Sequence, residues 1–209
     1  WIYPWTVSTT TSGIVSVTAS GIDLAGNAYV AGTQSLTFTI DNTAPTVTLT
    51  DTDSDNLVSG STVVTITATF SESMAATPSI NITGEVSNAL MTASSTANVW
   101  IYPWTVSTTT SGIVSATISG SDISGKSYSG TDSITFTIDN TAPTVTLTDT
   151  DSDNLVSGSN VVTITATFSE SMAATPTINI TGEVSNALMT ASSTASVWIY
   201  PWTVSTTTS

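Results

Sequence analysis

The chain has 209 residues, with fifteen acidic side chains against one basic one and no histidine, giving a formal charge of -14. That balance excludes nucleic acid and anionic membrane surfaces as partners of this segment. Without Cys there are no disulfides and no thiolate metal or redox chemistry, and without His or Cys the common nucleophile-base pairs cannot be built, so the reading is non-enzymatic.

Charged residues make up only 8% and mean hydropathy is +0.26, which separates the chain from acidic disordered tails of low hydropathy. Ser and Thr supply the polar positions instead. The sequence also repeats itself. Residues 41–111 return as 139–209, differing only at Thr62/Asn160, Ser79/Thr177 and Asn98/Ser196, while residues 1–29 align with 100–128. The second alignment is offset by one residue more than the first, so a residue is gained or lost near Val30-Ala31, opposite Ser129. The unit is about 98 residues long. Residues 1–40 then carry the last three strands of one unit, 41–138 form a complete unit, and 139–209 hold the first five strands of the next. The ends fall out of phase with the unit, which reads as a slice of a longer array.

Taken in chain order, the complete unit shows period-two alternation and almost no helical periodicity. Val47 and Leu49 alternate with Thr, and Val64, Ile66, Ala68 and Phe70 alternate with Thr65, Thr67 and Thr69. Ile80 and Ile82 follow Pro78; then come Ala89 to Thr92, Val99 to Val106, Ile113 to Ile118, and Ile134 to Ile138. Seven predicted strands separated by Gly, Ser, Asn, Asp and Pro clusters point to an all-β antiparallel sandwich. In such a sandwich the loops after the second, fourth and sixth strands share the pole where the chain enters, and those after the first, third and fifth share the other.

That placement gathers the acids. Asp41, in the elbow Asp41-Asn42-Thr43-Ala44-Pro45, should meet Glu72 and Asp122 at the first pole. Asp51, Asp53 and Asp55 should lie at the opposite pole beside the next elbow, Asp139-Asn140, and beside Glu170. Asp149, Asp151 and Asp153 repeat the pattern in the following unit. Carboxylates crowded without Lys or Arg repel one another unless a cation sits between them. Calcium suits them, taking six to eight oxygen ligands, with Asn42, Asn140 and backbone carbonyls completing the shell. Transition metals are disfavoured where neither imidazole nor thiolate is present. Asp51 to Asn56 resembles the opening of an EF-hand loop, but Asn56 stands where Gly is needed, position twelve is Thr62, and the flanks are strands. The competing explanation is that Asp and Asn simply favour turns.

Three motifs, Ile40-Asp41-Asn42-Thr43-Ala44-Pro45, Phe70-Ser71-Glu72-Ser73 and Asp23-Leu24-Ala25-Gly26-Asn27, resemble the opening, middle and closing motifs of bacterial immunoglobulin-like repeats of giant surface adhesins. The resemblance implies tandem Ig-like sandwiches in a non-enzymatic extracellular stalk at the bacterial cell surface, with neighbouring repeats as partners and calcium at the joints. Asp122-Ile123-Ser124-Gly125-Lys126 departs from the third motif, with Lys126 for Asn27 and Ser124 for Ala25, so that, if this loop supplies a ligand in the family, the resemblance implies a weaker site in this unit.

The remaining feature is Val99-Trp100-Ile101-Tyr102-Pro103-Trp104. Trp100, Tyr102 and Trp104 share one strand face, and Pro103 marks an edge or a bulge. Core packing, lateral contact between chains of a self-assembling filament or sheath, and an aromatic platform for glycans are the three readings of that face. Strand donation between chains belongs to the filament alternative.

Overall fold

The computed structural model describes residues 1–29 and 34–206, and the length difference near Val30-Ala31 lies outside them. All regular structure among the described residues is β-strand, arranged in two compact units, Trp1–Asn140 and Thr141–Ser209.

In the first unit a hairpin of β1 (Gly13–Val17) and β2 (Leu36–Ile40) precedes a complete sandwich. The sandwich comprises β3 (Val47–Asp51), β4 (Leu57–Val58), β5 (Val63–Phe70), β6 (Ser79–Ile82), β7 (Val86–Leu90), β8 (Thr92–Ala93), β9 (Val99–Thr105), β10 (Gly112–Ser119) and β11 (Ser133–Ile138). One sheet runs β3-β5-β9-β8 and the other β4-β11-β10-β6-β7. Alternation decides which side chains lie between them. Along β5, Val64, Ile66, Ala68 and Phe70 are buried, while the intervening Thr residues face outward. Ile80, Ile82, Val114, Ala116, Phe136 and Ile138 close the core from the other sheet. Each fully buried large side chain contributes about 1.5–3 kcal/mol relative to exposure.

The structure refines these expectations in detail. The predicted strand Ala89 to Thr92 is a crossing point: β7 belongs to one sheet, Met91 is buried with its amide on the Pro78 carbonyl, and β8 joins the other sheet. β4 was absent from the alternation reading, because two residues carry no periodicity. It pairs parallel to β11, Leu57 beside Thr137 and Val58 beside Ile138, in a sandwich whose other ladders are antiparallel. Of the three readings of the Trp100, Tyr102 and Trp104 face, core packing describes Trp104, which is 2% exposed and packs on Phe136 with ring centroids 5.2 Å apart at 57°. Trp100 and Tyr102 are half-buried against the same core. Pro103 sits opposite Thr65 of β5, and β8 covers only Trp100 and Ile101, so its missing N–H falls where the ladder has ended.

The second unit repeats this construction with β12 (Val145–Asp149), β13 (Val161–Phe168), β14 (Thr177–Ile180), β15 (Val184–Leu188), β16 (Thr190–Ala191) and β17 (Val197–Thr203). Its sheets are β12-β13-β17-β16 and β14-β15. Leu155-Val156 matches Leu57-Val58 in sequence yet forms no strand there. A two-residue strand is created by its neighbour, and the counterpart of β11 is not among the strands of this unit.

Phe136→Ala should lower the stability of the complete sandwich by about 3–5 kcal/mol through lost burial and a residual cavity. Ile113→Thr, at a 75% exposed position of β10, should change it by less than about 0.5 kcal/mol. Denaturant titration followed by near-ultraviolet circular dichroism separates the two.

Candidate metal centre

The pole at which the chain enters the complete sandwich is assembled by backbone hydrogen bonds between three segments distant in sequence. The elbow is tied to the β5–β6 loop because the Ser71 amide donates to the Thr46 carbonyl at 3.0 Å and the Thr46 amide donates to Ser71 Oγ at 3.0 Å. That loop is in turn zipped to the β10–β11 loop: Met74 bridges Asp122, and the Ala75 amide donates to the Ser121 carbonyl at 2.9 Å. Asp41 turns inward through its own short turn, accepting the Thr43 amide at 2.9 Å on Oδ1.

The result is a group of three carboxylates. Asp41, Glu72 and Asp122 each offer an oxygen, and these oxygens lie within 4.8 Å of one another. Two oxygens on opposite sides of a calcium ion, each about 2.3–2.6 Å from it, are about 4.6–5.2 Å apart, so the spacing fits one coordination sphere. Asp122 has no exposed surface. Its Oδ1 accepts Ser124 Oγ at 2.7 Å and the Lys126 amide at 2.8 Å, while Oδ2 is buried with no hydrogen-bond partner. A buried carboxylate oxygen without a donor is costly. An oxygen-only donor set selects a hard cation.

Residues 1–95 match the sequence model of the bacterial Ig-like domain, group 3. The matched segment is a bacterial Ig-like repeat. Residues 100–128 and 139–209 repeat the sequence of 1–29 and 41–111. A search of curated proteins finds no match. Among the described residues no helix is long and apolar enough to cross a membrane.

The other expected ligands are occupied differently. Asp51 accepts the Asp53 amide at 2.8 Å, Asp53 accepts the Asn56 amide at 2.7 Å, and Asp55 accepts the Leu57 amide at 3.0 Å. These carboxylates brace their own loop, which turns left-handed at Asn56 (φ 60°). In the second unit Asp149 and Asp153 do the same for the amides of Asp151 and Leu155, and Asp151 accepts the Asp153 amide at 3.3 Å. Among the described residues neither set joins a group of three close carboxylates. The Asp139 amide donates to the Val58 carbonyl at 2.9 Å.

Asn42 and Asn140, expected to complete the metal shell, act as clips. Asn140 Nδ2 donates to the Ser107 carbonyl at 2.9 Å and to the Thr110 carbonyl, and its Oδ1 accepts the Gly60 amide at 2.6 Å. Asn42 repeats the first two bonds with Ser8 and Thr11. Gly60 is required by this approach, since a Cβ there would lie 2.7 Å from Thr108 Cα. Sequence spacing carries no signal for such clips, because the partners lie some thirty residues away or more.

A cavity of about 640 Å³ is lined by Tyr3, Trp5, Val15, Val17, Leu36 and Phe38. These positions correspond to Tyr102, Trp104, Val114, Ala116, Ile134 and Phe136, so that face is core surface by construction rather than a ligand pocket.

The electrostatics of the group are asymmetric. Glu72 is raised above its ordinary carboxyl value, first by desolvation, then by the charges of Asp41 and Asp122. Burial would also raise Asp122, but the bonds from Ser124 Oγ and the loop amides outweigh it and hold Asp122 low. A raised folded-state pKa means that the folded chain holds the Glu72 proton more tightly than the unfolded chain. Stability is therefore lost as pH rises from the ordinary glutamate range through that raised value. In chelator at pH 7, Glu72→Gln should unfold at a higher temperature than the unmodified chain, and the difference should disappear toward pH 3.5, where Glu72 is protonated anyway. Thermal scans across pH 3.5–7 measure both.

Proposed function

We propose that this chain is a segment of a bacterial extracellular stalk of tandem Ig-like repeats, in which calcium bound by Asp41, Glu72 and Asp122 fixes the elbow against the loops of the domain that follows it. The observation that carries this reading is the buried, unpartnered Oδ2 of Asp122 within a triangle of carboxylate oxygens no more than 4.8 Å on a side. Asp41 belongs to the connecting segment, and Glu72 and Asp122 to loops of the sandwich. A cation shared among them converts mutual repulsion into a tie between linker and domain.

Repetition supports the stalk. Units that differ at few positions add length without adding a new surface, and each contacts mainly its neighbours. The inward position of Trp104 removes the most deeply placed ring from a glycan platform. Extracellular calcium modules bind at about 10⁻⁴ to 10⁻³ M, which suits an environment where calcium is plentiful.

At calcium concentrations ten times the dissociation constant, the domain should gain about 1.4 kcal/mol over the chelated protein, and Asp122→Asn should lose that gain. Small-angle scattering with and without chelator tests the tie itself. The expected result is a shorter, more bent particle on chelation with the sheets intact by circular dichroism. Identical profiles together with no calcium-dependent stabilisation would remove calcium from the mechanism.

A further inference from the structure

Lys126 is the one basic side chain among 209 residues, and it belongs to the loop that presents Asp122 to the carboxylate group. It is half-buried and, with Asp41, Asn42 and Ser124, lines a cavity of about 400 Å³ that Trp5, Val7 and Phe38 close from the hairpin side. Its own amide holds Asp122 Oδ1, so its stem starts within the loop that presents the cluster.

The earlier copy of this loop differs at this position. There Asn27 replaces Lys126, and its Nδ2 donates to Asp23 Oδ2 at 2.9 Å while the Ala25 and Asn27 amides hold Oδ1. Both oxygens of Asp23 are satisfied from within the loop. In the Lys126 copy the short amide is gone, Oδ2 of Asp122 is left without a protein donor, and the residue at that position instead carries a positive charge on a flexible four-carbon stem. An ammonium ion and a bound divalent cation compete for the same negative potential.

We propose that Lys126 is a built-in competitor for the cation: its ammonium group neutralises the Asp41, Glu72 and Asp122 carboxylates when calcium is scarce and is displaced when calcium binds, so that it sets the concentration at which this joint becomes occupied. The inference rests on the calcium reading given above and assigns a regulator to that site. It makes joints individually tuned, since the copy with Asn27 carries no such charge.

Calorimetric titration of the 209-residue chain with calcium chloride at low ionic strength tests it, using the unmodified protein, Lys126→Met, Lys126→Gln and Glu72→Gln. Met keeps the length of the stem and removes its charge. Both position-126 variants should bind about three- to tenfold tighter, with the gain shrinking as salt is raised, and Glu72→Gln should bind more weakly than the unmodified chain. Binding by the Lys126 variants where the unmodified chain shows none also supports the competitor. Equal or weaker binding by both Lys126 variants, with Glu72→Gln still weakened, overturns the competitor while leaving the calcium site standing. Absence of binding in every chain overturns the site and the regulator together.

Discussion

The arrangement on which the rest depends is the meeting of Asp41, Glu72 and Asp122. Like charges at this separation oppose the very packing that brings them together, and the fold tolerates them only because the backbone around them is heavily bonded. Ser71 with Thr46, Met74 with Asp122 and Ala75 with Ser121 hold three segments in place whether or not the carboxylates attract anything. The scaffold is thus preorganised, and within it Oδ2 of Asp122 keeps no hydrogen-bond partner.

Beneath the pole the sandwich is ordinary in its physics and economical in its sequence. Thr fills the solvent face of β3 and β5 where Lys and Glu are common, so solubility comes from hydroxyls and from carboxylates confined largely to the loops. Cross-strand Thr pairs such as Thr48 with Thr69 keep those faces β-prone without adding charge. A chain with so few charged groups along its strands concentrates its electrostatics at the loop-bearing poles.

Much of this was legible beforehand, and the limits are instructive. Strands of five or more residues announce themselves by alternation, and loop order alone brings Glu72 and Asp122 to the pole of Asp41. β4 could not be read, because Leu57-Val58 becomes a strand only beside β11, as the unpaired Leu155-Val156 shows. The Asp51, Asp53 and Asp55 series satisfies two explanations at the level of residue types, ligand set and self-braced turn; the bond from each carboxylate to an amide two or three residues on is visible only in three dimensions. The clips made by Asn42 and Asn140 depend on partners too far along the chain for any spacing to reveal. Lys126 looked like a defect in a motif. Only the contrast between Asp23, with both oxygens satisfied, and Asp122, with one left bare, gives the change a physical meaning.

The parallel pairing of β4 with β11 has a mechanical corollary. The chain leaves the sandwich through β11, and the Thr137 and Asp139 amides donate to the carbonyls of Asn56 and Val58 at 2.8 and 2.9 Å. Tension drawn between the upstream and downstream flanks pulls these two neighbours along their common axis in opposite senses, so the bonds are sheared as a set instead of being unzipped singly. A tether built from such modules resists extension at the place where each one hands the load to its successor.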